Sequence, residues 1–142
     1  RLRERQVSHS VVYMLEPGRY RRPRSSGEEA HRVTVQLEKE LYPDIVRPRI
    51  FVSHTRPEVL LGVLEPLHTG YGTTRALGFI NHGGTLNVHG MFFVNRCSWC
   101  HILLEVAQVL GLSRDELLLD AELAVMDGTV SPEGVVWGDT TV

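Results

Sequence analysis

RPRIFVSHTRPEVLLGVL, Arg47 to Leu64, is the stretch that decides the fold. Arg49 to His54 is a short, continuous apolar run, the pattern of a strand buried on both faces. Pro57 suits the first turn of a helix that runs to about Leu64, because proline lacks the N–H that a first turn leaves unpaired anyway. The same alternation continues outward. Arg75 to Asn81 (RALGFIN) is another strand candidate, and Ser10 to Glu16 (SVVYMLE) is β-branched and apolar until Pro17-Gly18 stops it. Ser25 or Ser26 is placed to cap a helix from about Glu28 to Leu41, which Tyr42-Pro43 ends. A glycine-rich loop, His82 to Gly90, precedes the longest expected helix, Met91 to Leu110, with Gly111 as its stop. Ser113 and Glu116 form a capping box for a helix reaching Met126. RLRERQ at the start reads as the last turns of a helix, and SPEGVVWG is a short tail. Strand and helix in alternation predict a single α/β domain over residues 1–142, with a mostly parallel sheet.

Composition narrows the function classes. The 142 residues are 42% apolar and 23% charged, ordinary for a globular domain, with a net charge of −2. That balance gives no global electrostatic case for nucleic acid or an acidic membrane. Arg1, Arg3, Arg5, Arg19, Arg21, Arg22 and Arg24 crowd the first 24 residues and are expected to form a solvated basic face. No apolar stretch reaches the roughly 18 residues that a membrane-spanning helix needs. Two cysteines cannot build a disulfide framework, which points to a reducing, cytoplasmic setting.

Both cysteines lie in NRCSWCH, where Cys97-x-x-Cys100-His101 has the spacing of a haem attachment site, a redox pair or half a zinc site. On a continuous helix over 91–110, Ser98, His101, Glu105 and Gln108 share one polar stripe. Trp99, Ile102, Leu103, Val106 and Leu110 form the apolar face. Zinc needs four ligands, and no second C-x-x-C or H-x₃₋₅-H is present. A thioredoxin-like site sets its first cysteine at a helix N-terminus, whereas here the apolar period already begins near Met91. The cysteines are therefore expected to be packing residues, and no metal or cofactor is assigned to the chain itself. Ser53 and Ser98 have no nucleophile-elbow setting, and Gly83-Gly84 stand too far from the Met91 helix to cradle a phosphate. His54, at the end of a strand, could share a crevice with His82, Thr85 and His89 in the next loop.

The central segments also carry a resemblance. Phe51-Val52-Ser53-His54 leads to Pro57, where the C-terminal domain of phosphoketolases reads F-x-F-H, two residues, then Pro. Gly78 to Met91 is similar, without gaps, to that family's G-Y-x-E-E-G-T-T-T-T-P-F-D-M. Gly78, Gly83, Thr85 and Met91 match, and Phe79 stands for the aromatic. Asn95 and His101 then fall on the Asn and His of N-D-L-D-R-F-H-L, with Ile102 on its Leu. Departures fall in the loop: Asn81 and His82 replace two glutamates, Val88 a proline and Gly90 an aspartate.

The resemblance implies a transketolase-like, three-layer α/β fold with a mostly parallel sheet of four to five strands, lacking its first strand and hence a fragment of a larger enzyme. It implies a thiamine diphosphate-dependent parent that cleaves ketose phosphates with phosphate. The cofactor and its Mg²⁺ would sit on other domains or a partner subunit, in a homodimer. His54, Asn81, His82, Thr85, His89, Asn95 and His101 become the candidate crevice or interface residues. The other reading is a stand-alone interaction or regulatory module that kept the fold without catalysis.

Overall fold

The computed structural model describes residues 1–80, 84 and 86–133. Asn81, His82, Gly83, Thr85 and the tail from residue 134, including the expected Trp-containing segment, lie outside the described residues. The centre is a parallel pair, β1 (Arg49–Val52) and β2 (Thr74–Leu77), in register Arg49↔Thr74 through Val52↔Leu77. Helix α3 (Pro57–Val63) makes the crossover that parallel pairing requires, with proline in its first turn as expected.

Side-chain alternation divides the pair into two faces. Phe51 and Ala76 pack with Leu60, Leu64, Leu67, Tyr20 and Val33 in one core. Arg75, on the opposite face, reaches Glu105 of α5 (Trp99–Leu110) at 3.0 Å. A second core joins Cys100, Leu103 and Ala107 of α5 to Leu117 and Leu118. Helices thus cover both faces, and the molecule is mixed α/β. The described sheet has two strands, however, not the four to five expected.

Three expected elements are revised. Ser10–Glu16 keeps the alternation of a strand, with Val12 and Met14 half-buried while Val11, Tyr13 and Leu15 are exposed, but it joins no ladder. It stands apart from β1 across a groove of about 690 Å³. The expected Glu28–Leu41 helix is two pieces, α1 (Ser26–Glu29) and α2 (Val35–Leu41). Val33 turns inward to the first core, and the Thr34 hydroxyl accepts from Leu37 N at 3.3 Å, restarting the helix. The Ser113 box closes, Ser113 N donating to Glu116 Oε1 at 2.8 Å, but it caps only a 3-10 turn. Helix α6 (Asp120–Met126) begins separately, with Leu119 N donating to Glu122 Oε2 at 2.8 Å.

Two charges, half-buried Arg49 and buried Glu122, tie loops to this frame. Arg49 donates to the carbonyls of Leu67 at 2.8 Å and Tyr42 at 3.0 Å, and its guanidinium lies over the Tyr42 ring. Glu122 accepts from Arg1 Nη1 at 2.8 Å and Trp99 Nε1 at 2.9 Å, locking the N-terminal turn to α5 and α6. Burial pushes its carboxyl upward, but hydrogen bonds from Arg1, Leu119 N and Trp99 outweigh this and hold it below the usual range. The basic segment is solvated as expected, with Arg3, Arg5, Arg19, Arg22 and Arg24 exposed, and part of its charge is paired within the chain. Arg21 and Arg24 pair with Glu28, Arg22 with Glu65 and Arg19 with Glu16.

Gly78 follows β2 where the backbone crosses the turn after β1. Phe79 N donates to Thr55 O at 3.2 Å, and a Cβ on Gly78 would lie 2.0 Å from that same oxygen. Gly62, in α3, has nothing within 4 Å of its Cβ position. Gly78→Ala should therefore destabilise the fold by about 1–3 kcal/mol through overpacking. Gly62→Ala should stabilise it by about 0.5–1 kcal/mol, since alanine loses less backbone entropy in a helix. Urea unfolding of the two variants checks both signs.

Candidate functional site

The described candidate residues, His54, His89, Asn95 and His101, lie around the exit of β1 and helix α4 (Val88–Val94) with its junction to α5. Asn87 caps this helix, its Oδ1 accepting from Gly90 N at 2.8 Å, and Glu133 Oε1 accepts from Asn87 N at 3.0 Å. His89 therefore stands in the first turn of a helix, not in the expected loop. The expected helix over 91–110 is also broken. Cys97 N donates to Phe92 O at 3.0 Å and Arg96 N to Phe93 O at 2.9 Å, the paired bonds of a Schellman ending. Arg96 takes the left-handed position, at φ 56°, that usually goes to glycine. Helix α5 then starts at Trp99 with Ser98 as its cap.

The break gives Asn95 and His101 defined duties. Asn95 is fully buried, and its Nδ2 donates to Met91 O at 2.9 Å, sealing the last turn of α4. Ser98 Oγ and His101 Nδ1 are hydrogen-bonded at 2.8 Å, so the serine hydroxyl is engaged by the imidazole three residues on instead of by the backbone. The Phe93 ring lies 4.9 Å from that of His101. Burial, with the nearby Arg96 charge adding to it, pushes the His101 pKa down to about 4. A serine beside an imidazole has the outline of a nucleophile–base pair, but so weak a base withdraws little proton at neutral pH, and Ser98 is buried. The pair joins the residue before α5 to its first turn, side chain to side chain.

His54 is exposed after β1, with its ring 6.2 Å from that of Phe92. His89 is edge-on to Trp99 at 5.9 Å. The structure thus links His54 to His101 through the adjacent Phe92 and Phe93, and His89 to α5 through Trp99. Asn81, His82 and Thr85 lie outside the described residues. The 690 Å³ groove beside β1 lies elsewhere, as none of His54, His89, Asn95 and His101 lines it.

The cysteines sit differently from the helical-wheel reading. Cys97 directly precedes the N-terminus of α5, the position a redox thiol uses. Its Sγ is nonetheless within 3.5 Å of Phe92 O, and burial raises its pKa. Cys100 is fully buried, and burial followed by the Glu122 charge pushes its thiol up to about 12. Both are protonated packing residues. The fully buried stripe of α5 is Cys100, Leu103 and Ala107, while Trp99, Ile102 and Val106 of the expected apolar face are half-buried and Leu110 is exposed. The sequence did carry a signal for the break: Asn95, a residue tolerant of helix ends, and Ser98, a preferred cap.

Among the described residues, no group of three or more His, Cys, Asp or Glu side chains could hold a metal ion, and no helix is long and apolar enough to cross a membrane. No family model, curated protein or solved structure matches the chain.

The depressed His101 pKa has a measurable consequence. Between the unfolded value near 6.5 and the folded value of about 4, the unfolded chain binds the proton that the native chain refuses. Stability from this residue is fully present above about pH 6.5 and is lost as pH falls through about 4. Urea midpoints measured across this range should decline for the unaltered chain, and His101→Gln should flatten the decline.

Proposed function

We propose that this chain is the C-terminal α/β domain of a thiamine diphosphate-dependent, phosphoketolase-like enzyme acting on ketose phosphates. In this reading it buttresses the cofactor-binding domains or subunit of a cytoplasmic homodimer. The observation that carries the reading is the strand–helix–strand unit from Arg49 to Leu77. Its parallel pairing sets both motif-bearing strand ends, at His54 and Gly78, side by side and against α4. Strand C-terminal ends are where open α/β sheets assemble their sites.

Further support comes from the residues that the resemblance singles out. Gly78 is required by its approach to Thr55 O. Asn95 seals α4, and His101 holds the cap of α5. These are positioning duties, and none of them places a group on a substrate. Thiamine diphosphate would supply carbanion stabilisation when bound. In this reading the cofactor and its Mg²⁺ sit on other domains or a partner subunit, and the roles given to this chain are packing and orientation.

The test is expression of the complete reading frame that carries these residues. It should bind thiamine diphosphate with Mg²⁺ and form acetyl phosphate from xylulose 5-phosphate and phosphate. A reading frame with no thiamine-binding segment, in itself or in its neighbour, ends this reading and leaves the stand-alone module in its place.

A further inference from the structure

The stretch Arg21-Arg22-Pro23-Arg24-Ser25-Ser26 links the turn Pro17–Tyr20 to α1 and belongs to neither core. Its main chain is extended at both ends, with Arg21 at φ −66°, ψ 159° and Ser25 at φ −152°, ψ 164°. Residues 21–25 join no helix or ladder, and both serines are exposed. The two serines differ in backbone. Ser26 opens α1, whereas Ser25 precedes it, and the Ser25 side chain makes no capping bond to the helix.

Arginine stands one, three and four residues before Ser25, at Arg24, Arg22 and Arg21. The Arg22 side chain is 77% exposed, and its carboxylate partner Glu65 is 52% exposed. An ion pair so open to water is worth little, so a competing carboxylate takes the guanidinium at small cost. Arg24 is held differently. Glu28 accepts from its N, Nε and Nη2, and from Arg21 as well.

From this arrangement we infer that Ser25 is a phosphorylation site for a serine kinase that reads arginine three residues before its acceptor. Kinases choose substrates in part by charge, and carboxylates in an acidic groove grip a guanidinium through bidentate bonds. The extended segment presents Arg22 for that grip and Ser25 for the chemistry. Ser26 is already wound into α1 and has Pro23 at the corresponding spacing. In the step, Ser25 Oγ bonds to the γ-phosphorus of a nucleoside triphosphate as the bond from that phosphorus to the bridging oxygen breaks. The nucleoside diphosphate leaves, the hydroxyl proton passes to the kinase's base, and nothing is oxidised or reduced. The product adds close to two negative charges to a basic segment. The inference does not depend on the enzyme reading.

The test is incubation of the full chain with Mg²⁺-ATP and calcium/calmodulin-dependent kinase II, a serine kinase of Arg-x-x-Ser specificity, with the product mapped by peptide mass spectrometry. One phosphate per chain is expected, at Ser25. Ser25→Ala should abolish it and Ser26→Ala should leave it in place. Arg22→Ala should slow the initial rate about tenfold or more, by loss of the bidentate contact. If a variant fails to fold by circular dichroism, the position mapped on the unaltered chain decides alone. No incorporation into the folded chain, even where a peptide spanning residues 18–30 is labelled, overturns the inference. So does phosphate at Ser26 in place of Ser25, or a rate indifferent to Arg22→Ala.

Discussion

A peptide group buried in a sheet must find a partner on whichever side it points, and among the described residues β1 has a partner strand on one side only. Its pairing with β2 is the interaction on which the remaining structure depends. The register from Arg49↔Thr74 to Val52↔Leu77 fixes the crossover through α3 and sends Phe51 and Ala76 to one core. It also turns Arg75 toward Glu105 on the other face. It brings Thr55 and Gly78 so close that only glycine fits at the second strand's exit. The unpaired side of β1 is equally a product of that register, and it makes the edge groove.

The parts of the fold legible in the sequence are those governed by local rules. The apolar run at Arg49–Val52, the proline at the start of α3 and the left-handed glycine after α5 each follow from a residue's own conformational preference. The parts that were not legible depend on partners distant in sequence. SVVYMLE has every local property of a strand, yet a strand exists only where a neighbour offers its peptide groups, and none is paired with it among the described residues. The helix over 91–110 has an unbroken apolar period, and the period does not register that Asn95 binds back to Met91 O or that Arg96 accepts a left-handed φ. The arginines were legible as charge but not as pairs, because Glu28 and Glu65 reach them only through the fold.

The candidate site shows the same division. The resemblance singled out Asn95 and His101, and both hold structural positions at the α4–α5 junction. The chemistry suggested by C-x-x-C-H is absent from the thiols, because burial raises their pKa even though the helix break brings Cys97 to a helix start. At Cys97 the loss of solvent raises the pKa and outweighs a backbone hydrogen bond that lowers it. His54 and His89 are held by aromatic neighbours on α4 and α5, so the strand exits and the helix junction form one continuous surface.

Residue-resolved amide hydrogen exchange on the free chain tests the central pairing most directly. The account predicts protection at Phe51 and Ser53, whose N–H groups face β2, and fast exchange at Ile50 and Val52 and along Val11–Leu15. Equal protection at Ile50, Phe51 and Val52 would contradict it, because β1 would then be paired on both sides and no open edge would remain.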